Sequence, residues 1–164
     1  MQAVETRGAE TLARLRFEKF GTGVYPDATF TLRLSYGEVK GWQEAGRSIE
    51  PFTTLAGLYA RNTGAAPFRL SPRWLERKDQ LALDTPFNLV TTNDIVGGNS
   101  GSPVLNRRGE LVGLAFDGNI HSLGGAFGFD ETLNRCVAVD ARAIIESLRG
   151  VYQADALVKE MRAR

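Results

Sequence analysis

The stretch of sequence best suited to chemistry is Thr91-Thr92-Asn93-Asp94-Ile95-Val96-Gly97-Gly98-Asn99-Ser100-Gly101-Ser102-Pro103-Val104. A serine among glycines is common in turns for conformational reasons alone. Here the serine is followed by a Ser-Pro step, an apolar strand pattern and a return segment ending Gly113-Leu114-Ala115-Phe116. A nucleophilic serine needs a tight turn that lifts its hydroxyl into reach. The tetrahedral intermediate of acyl transfer needs backbone N–H donors aimed at its oxyanion. The amides of Gly98 and Ser100 can converge on one point, because glycine at 98 leaves that peptide free to turn.

The elements that must hold this loop read as strands. Asn88 to Thr92 precedes it, Pro103 to Leu105 follows it, Asn106-Arg107-Arg108-Gly109 turns the chain, and Glu110 to Phe116 returns as a hairpin. Gly118 to Phe129 reads as a glycine-containing loop and Cys136 to Val139 as another strand. Asp140 is placed to cap a helix carrying Ile144, Ile145, Leu148 and Val151, and a last helix spans about 154–162.

At the other end, residues 3–20 have the spacing of an amphipathic helix with Leu12, Leu15 and Phe20, stopped by Gly21 and Gly23 before a turn at Pro26-Asp27. Phe30, Leu32, Leu34 and Tyr36 alternate with polar residues, which predicts a half-buried strand. Val39 to Trp42 is its expected hairpin partner. Phe52 to Leu55 predicts a short strand and Leu55 to Arg61 a short helix. Ser71-Pro72 predicts a helix start whose body carries Trp74, Leu75 and Leu81.

Composition limits the function classes. The chain has 164 residues, 43% hydrophobic and 24% charged, with 20 Lys+Arg against 19 Asp+Glu. That is an ordinary globular balance, with no basic excess for a nucleic-acid partner. No apolar run reaches the ~18–20 residues of a membrane helix. The one cysteine, Cys136, excludes an internal disulfide and reads as a small core hydrophobe within Cys-Val-Ala-Val. Met1 to Arg7 is polar and is not a signal peptide. Met1 runs straight into a helical pattern, as a true start or as the start of a piece cut from a longer protein.

Two catalytic geometries compete for Ser100. The nucleophile elbow of α/β-hydrolases needs Gly-x-Ser-x-Gly between a strand and a helix. Position 102 is serine here, and a proline and a hairpin follow, so that reading fails. The chymotrypsin-type arrangement of serine and converging amides fits.

At this point the sequence resembles the bacterial dipeptidyl-peptidase 7/11 family, serine exopeptidases of the chymotrypsin clan. The matching pieces are Tyr25-Pro26-Asp27-Ala28-Thr29-Phe30-Thr31-Leu32-Arg33-Leu34-Ser35-Tyr36-Gly37, Thr92 to Ile95 with Gly97 to Pro103, Gly113 to Asn119, and Arg135 to Asp140 with the closing helices. The resemblance covers nearly the whole chain. It implies a mainly β fold with flanking helices, namely the second, C-terminal β-barrel of a chymotrypsin-like double barrel. Residues 1–22 would then be the end of a helical domain, 23–140 the barrel with an irregular or helical insertion at about 55–85, and 141–164 the closing helices.

The resemblance also implies roles. Ser100 matches the nucleophile and Gly98 supplies an oxyanion-hole N–H. Asp117 matches an acid that holds the free amino group of the substrate, so that dipeptides leave from the N-terminus. Gly118 matches a specificity position, where family members with arginine prefer acidic side chains before the cut. Glycine there resembles the branch preferring hydrophobic or uncharged ones. No cofactor or metal is expected. The expected partners are a peptide substrate, an N-terminal barrel in cis or in trans, and a second copy in a homodimer, with no nucleic acid and no membrane. The expected location of the parent enzyme is periplasmic or at the cell surface.

The general base is what the chain lacks. The single histidine, His121, follows Ser100, whereas the family's His and Asp precede it. His121 reads as a solvent-facing loop residue, and with Cys136 it offers too few ligands for a metal. Asp94 reads as structural, not as a pocket acid, and the arginines, scattered at Arg14, Arg16, Arg107 and Arg108, read as solvated faces. The chain is therefore expected to be half an active site and inactive alone. A non-catalytic binding or assembly module on the same scaffold is the alternative.

Overall fold

The computed structural model describes residues 2–21, 32–124 and 128–163. It divides into two compact units, Met1–Leu34 and Ser35–Arg164. The first contains one helix, α1 (Gln2–Phe20), followed by Gly21 at φ +57°. Gly23, the Pro26-Asp27 turn and Phe30 lie outside the described residues.

The second unit is antiparallel β with flanking helices, as the sequence predicts. A small hairpin pairs β1 (Trp42–Glu44) with β2 (Arg47–Ile49). The main sheet contains β3 (Phe52–Thr54), β4 (Pro86–Thr91), β5 (Pro103–Leu105), β6 (Leu111–Gly118) and β7 (Cys136–Asp140), in the spatial order β3-β4-β7-β6-β5. The helices are α2 (Leu55–Ala60), α3 (Pro72–Glu76), α4 (Ala141–Glu146) and α5 (Asp155–Arg162), with a π turn at Ser147–Val151 behind α4.

Central β7 is buried at every second residue, Cys136, Ala138 and Asp140. That is the two-residue period of a strand with one face in the core. Leu89, Ala115 and Ala143 are buried as well. A second apolar cluster joins Leu55, Leu81 and Val151 beneath Tyr59, Trp74 and Phe87. Complete burial of such a side chain contributes about 1.5–3 kcal/mol. Asp140 caps α4 by accepting from the Arg142 amide at 2.8 Å, and its two oxygens also receive the Arg142 guanidinium at 2.9 and 2.7 Å. Thr54 caps α2.

Three expectations are corrected. Residues 32–38 do not form a strand, and Leu32, Leu34 and Tyr36 are exposed. An alternating pattern yields a strand only where a neighbouring edge is free to pair. Here backbone pairing to β4 begins at Glu38 and Lys40, opposite Thr92 and Val90. Trp42 pairs with Ile49 in a local hairpin instead of returning along 32–36. Among the described residues the sheet is therefore open, not a closed barrel, with β3 and β5 at its edges. Leu81 lies beyond α3, which ends at Glu76, and a 3-10 turn at Lys78–Gln80 separates them.

Candidate active site

The loop carrying Ser100 is bonded to β6, the strand that ends in Asp117 and Gly118. Pairing of Pro103 with Leu114 sets β5 beside β6, so the loop before β5 runs along Ala115 to Asp117. Two bonds fix that loop to the sheet: Gly101 N–H donates to the Ala115 carbonyl at 2.7 Å, and Ala115 N–H donates to the Ser102 carbonyl at 2.9 Å.

Ser100, between them and the turn, is exposed. Gly98 has φ +102° and Gly101 φ +86°, both in the region that side chains disfavour. The chain thus reverses on either side of the hydroxyl. Among the described residues, the amides of Gly98 and Ser100 meet no hydrogen-bond acceptor. Two unpaired N–H groups beside an exposed hydroxyl are the arrangement acyl transfer needs.

Asn99 was not singled out in the sequence, and it organises the turn. Its side-chain oxygen accepts from Val96 N–H at 2.9 Å, and its own N–H donates to the Val96 carbonyl at 3.2 Å. Its carbonyl accepts from Ser102 N–H at 2.9 Å. The residue before the candidate nucleophile therefore closes the turn on both sides. Asparagine is suited to this because its short amide copies a backbone turn.

Asp117 lies at a bulge. Ala115 opposes Ala138 and Asp117 opposes Val137, so Phe116 is an extra residue in β6. Such a bulge turns the side chains that follow it. Asp117 is exposed, and its Oδ1 accepts from the Gly118 amide at 2.8 Å. That bond orients the carboxylate and leaves Oδ2 available to a cation.

Gly118 opposes Cys136 and faces a 3-10 turn, Ile120–Gly124. Asn119 and Ser122 bind the backbone of Arg135 there. The Arg135 carbonyl accepts from Asn119 N–H at 2.9 Å, and its N–H donates to Asn119 Oδ1 at 3.0 Å.

The Arg135 side chain corrects the reading of the arginines as solvated. It is buried, and among the described residues its guanidinium donates to backbone carbonyls: Lys40, Gly41, Glu131, Thr132 and Asn134. No pattern in the sequence marks it, because its partners are main-chain oxygens that every residue carries.

His121 is half-buried and not solvent-facing as expected. Its Nε2 lies 3.6 Å from Glu44 Oε2, and its ring stands edge-on to Trp42 at 6.5 Å. Trp42 Nε1 donates to the same Glu44 oxygen at 2.8 Å. Asp94 takes the Ser35 hydroxyl on its backbone carbonyl at 2.8 Å. Cys136 is buried, and burial pushes its thiol above the usual range. Among the described residues, no three His, Cys, Asp or Glu side chains gather as a metal site would require. No described helix is long and apolar enough to cross a membrane.

Known proteins resemble this chain in both sequence and fold. A dipeptidyl-peptidase 7 of Phocaeicola vulgatus is 44% identical, covering 83% of this chain and 20% of that protein. An Asp/Glu-specific dipeptidyl-peptidase of Shewanella putrefaciens is 37% identical, covering 84% of this chain and 23% of that protein. The crystal structure of Porphyromonas endodontalis DPP11 with the dipeptide Arg-Asp superposes with a TM-score of 0.78 at 28% identity, covering 92% of this chain and 23% of that one. The chain thus spans about a fifth of the length of the relatives it matches. The peptidase S46 family matches residues 1–163, and the chain belongs to that family.

Proposed function

We propose that the chain is the serine-bearing C-terminal part of a dipeptidyl peptidase. The observation that carries this reading is the exposed Ser100 between two left-handed glycines, beside the unpaired amides of Gly98 and Ser100. In the complete enzyme, Ser100 Oγ adds to the carbonyl carbon of the second peptide bond while a histidine outside these residues takes its proton. The amides of Gly98 and Ser100 hold the oxyanion. The histidine returns the proton to the departing nitrogen, the bond breaks, and water then hydrolyses the dipeptidyl ester.

Asp117 would place the substrate. A carboxylate already fixed by its neighbour's N–H loses little freedom when it receives an ammonium group, and such a charge-assisted bond is strong. Holding the free amino terminus there sets the cut two residues along.

Relatives carry both the Asp/Glu-specific name and the dipeptidyl-peptidase 7 name, so membership alone does not choose a preference. Glycine at 118 brings no cation to meet an acidic side chain, which supports a hydrophobic or uncharged preference before the cut. The enzyme would work outside the cytoplasm, as a homodimer, with the His and Asp supplied by an N-terminal barrel.

The test compares the purified chain with the same chain preceded by the N-terminal part of a dipeptidyl-peptidase 7 relative. On a chromogenic dipeptidyl substrate, the chain alone is expected to be inactive and the fused protein active, with Ser100→Ala abolishing the activity. Hydrolysis by the chain alone, lost in Ser100→Ala, overturns the claim that the base lies elsewhere. Activity of the fused protein that survives Ser100→Ala overturns the nucleophile.

A further inference from the structure

We propose that Ser122 is a specificity-determining residue: it occupies the volume a side chain at position 118 would need, and so keeps that part of the substrate wall bare. This deepens the reading of Gly118 above and rests on it. A Cβ on Gly118 would lie 2.7 Å from Ser122 Cβ, 3.2 Å from its Oγ and 3.7 Å from the Arg135 carbonyl oxygen. Carbon atoms in contact sit at ~3.5–4.0 Å, so the first distance is a clash. Rotating the serine gives no relief, because Cβ stays where the backbone puts it.

The backbone is held as well. Ser122 N–H donates to the Asn119 carbonyl at 2.9 Å. Its hydroxyl reaches Asn119 Oδ1 at 2.9 Å and the Arg135 carbonyl at 3.3 Å. Asn119 Nδ2 donates to the Leu133 carbonyl at 2.8 Å. Arg135, to which the turn is bonded, is itself anchored to Lys40 and Gly41 through its buried guanidinium. Moving Ser122 means breaking this group of bonds together.

A larger residue at 118 therefore requires a smaller one at 122. Any side chain placed at 118 alone brings its Cβ against Ser122, whereas with glycine at 122 the nearest remaining contact of that Cβ is the Arg135 carbonyl oxygen at 3.7 Å. The preference before the cut is then encoded by the pair, with Ser122 as the half that excludes.

Two measurements test this. In the full chain, Gly118→Ala is expected to lower the unfolding midpoint, and adding Ser122→Gly to restore part of that loss beyond the effect of Ser122→Gly by itself. Purely additive losses overturn the proposal. In the chain fused to the N-terminal part of a dipeptidyl-peptidase 7 relative, kcat/KM is compared for dipeptidyl substrates with a hydrophobic residue or with Asp or Glu before the cut. Gly118→Arg alone is expected to lose activity without gaining acidic preference. Gly118→Arg with Ser122→Gly is expected to shift the ratio toward acidic substrates by roughly tenfold or more.

If Gly118→Arg alone gives the whole shift, Ser122 excludes nothing and the proposal fails while the reading of Gly118 stands. If neither variant moves the ratio, the reading of Gly118 fails and the proposal with it. If the double variant lowers kcat/KM equally for both substrates, Ser122 is only structural and the proposal fails. The unfolding cycle tests the exclusion at 118 and the substrate ratio tests its effect on preference, and failure of either overturns the proposal.

Discussion

Strand β6 separates two regions that treat their polar groups in opposite ways. On its β5 side, the loop carrying Ser100 exposes that residue and leaves two amides without an acceptor among the described residues. On its β7 side, the segment from Asn119 to Arg135 gives partners to both side chains that hold the turn and spreads a buried guanidinium over five carbonyls. Amides without a protein acceptor beside an exposed hydroxyl are free to exchange water for a reacting oxygen. The paired groups of Asn119, Ser122 and Arg135 fix the shape of the turn. In the proposed reading, the first region would carry the chemistry and the second would shape the wall beside it.

Substitutions should divide the same way. The largest effect is expected at Arg135. Arg135→Ala strands buried carbonyls, each costing about 1–3 kcal/mol when left without a partner, and part of that is recovered by water. A loss of about 3–5 kcal/mol in chemical denaturation is expected, with Arg135→Lys recovering only a fraction. A loss below about 1 kcal/mol would mean that the network does not hold the turn.

Next comes the alkaline limb of the stability curve. Burial holds the Cys136 thiol above its ordinary value of 9.0, so the folded state keeps its proton longer than the unfolded state does. Below pH 9.0 both states are protonated and the contribution is complete. As pH rises from there toward the folded-state value, stability falls by at most about 1.4 kcal/mol per pH unit. Cys136→Ala should flatten that slope in denaturation curves taken from neutral to alkaline pH. An unchanged slope would assign it to another group.

On the loop side the effects on stability shrink while those on activity grow. Asn99→Ala removes the bond to Val96 N–H and should cost about 1 kcal/mol. In the fused protein it should lower kcat more than it raises KM, because it loosens the turn under Ser100. Ser100→Ala should change stability by less than about 0.5 kcal/mol, since the hydroxyl is exposed. A large destabilisation by Ser100→Ala would make that serine structural and erase the contrast between the two sides.

Most of the second unit is legible in the sequence because its signals are local. The cap at Asp140, the hairpin around Asn106 to Gly109 and the glycine turn at Ser100 each depend on residues within a few positions of one another. What could not be read depends on distant partners. The alternation of Leu32, Leu34 and Tyr36 describes a strand, but pairing begins only at Glu38, and the sheet stays open among the described residues. Arg135 looks like any surface arginine until its carbonyl acceptors, from residues 40, 41, 131, 132 and 134, close around it. His121 belongs to a glycine-containing stretch, and only the fold brings Trp42 and Glu44 to it. Gly118 could be singled out, but the atoms that a side chain there would crowd belong to Ser122.

The central claim is that the hydroxyl of Ser100 accepts the acyl group, and a covalent probe tests it most directly. A dipeptidyl phosphonate ester, which bonds to activated serines, is added to the chain fused to the N-terminal part of a dipeptidyl-peptidase 7 relative, and the adduct is located by peptide mass spectrometry. The adduct is expected on the peptide containing Ser100, absent from Ser100→Ala and weak on the chain alone. An adduct on a different residue, or labelling undiminished in Ser100→Ala, would contradict the account.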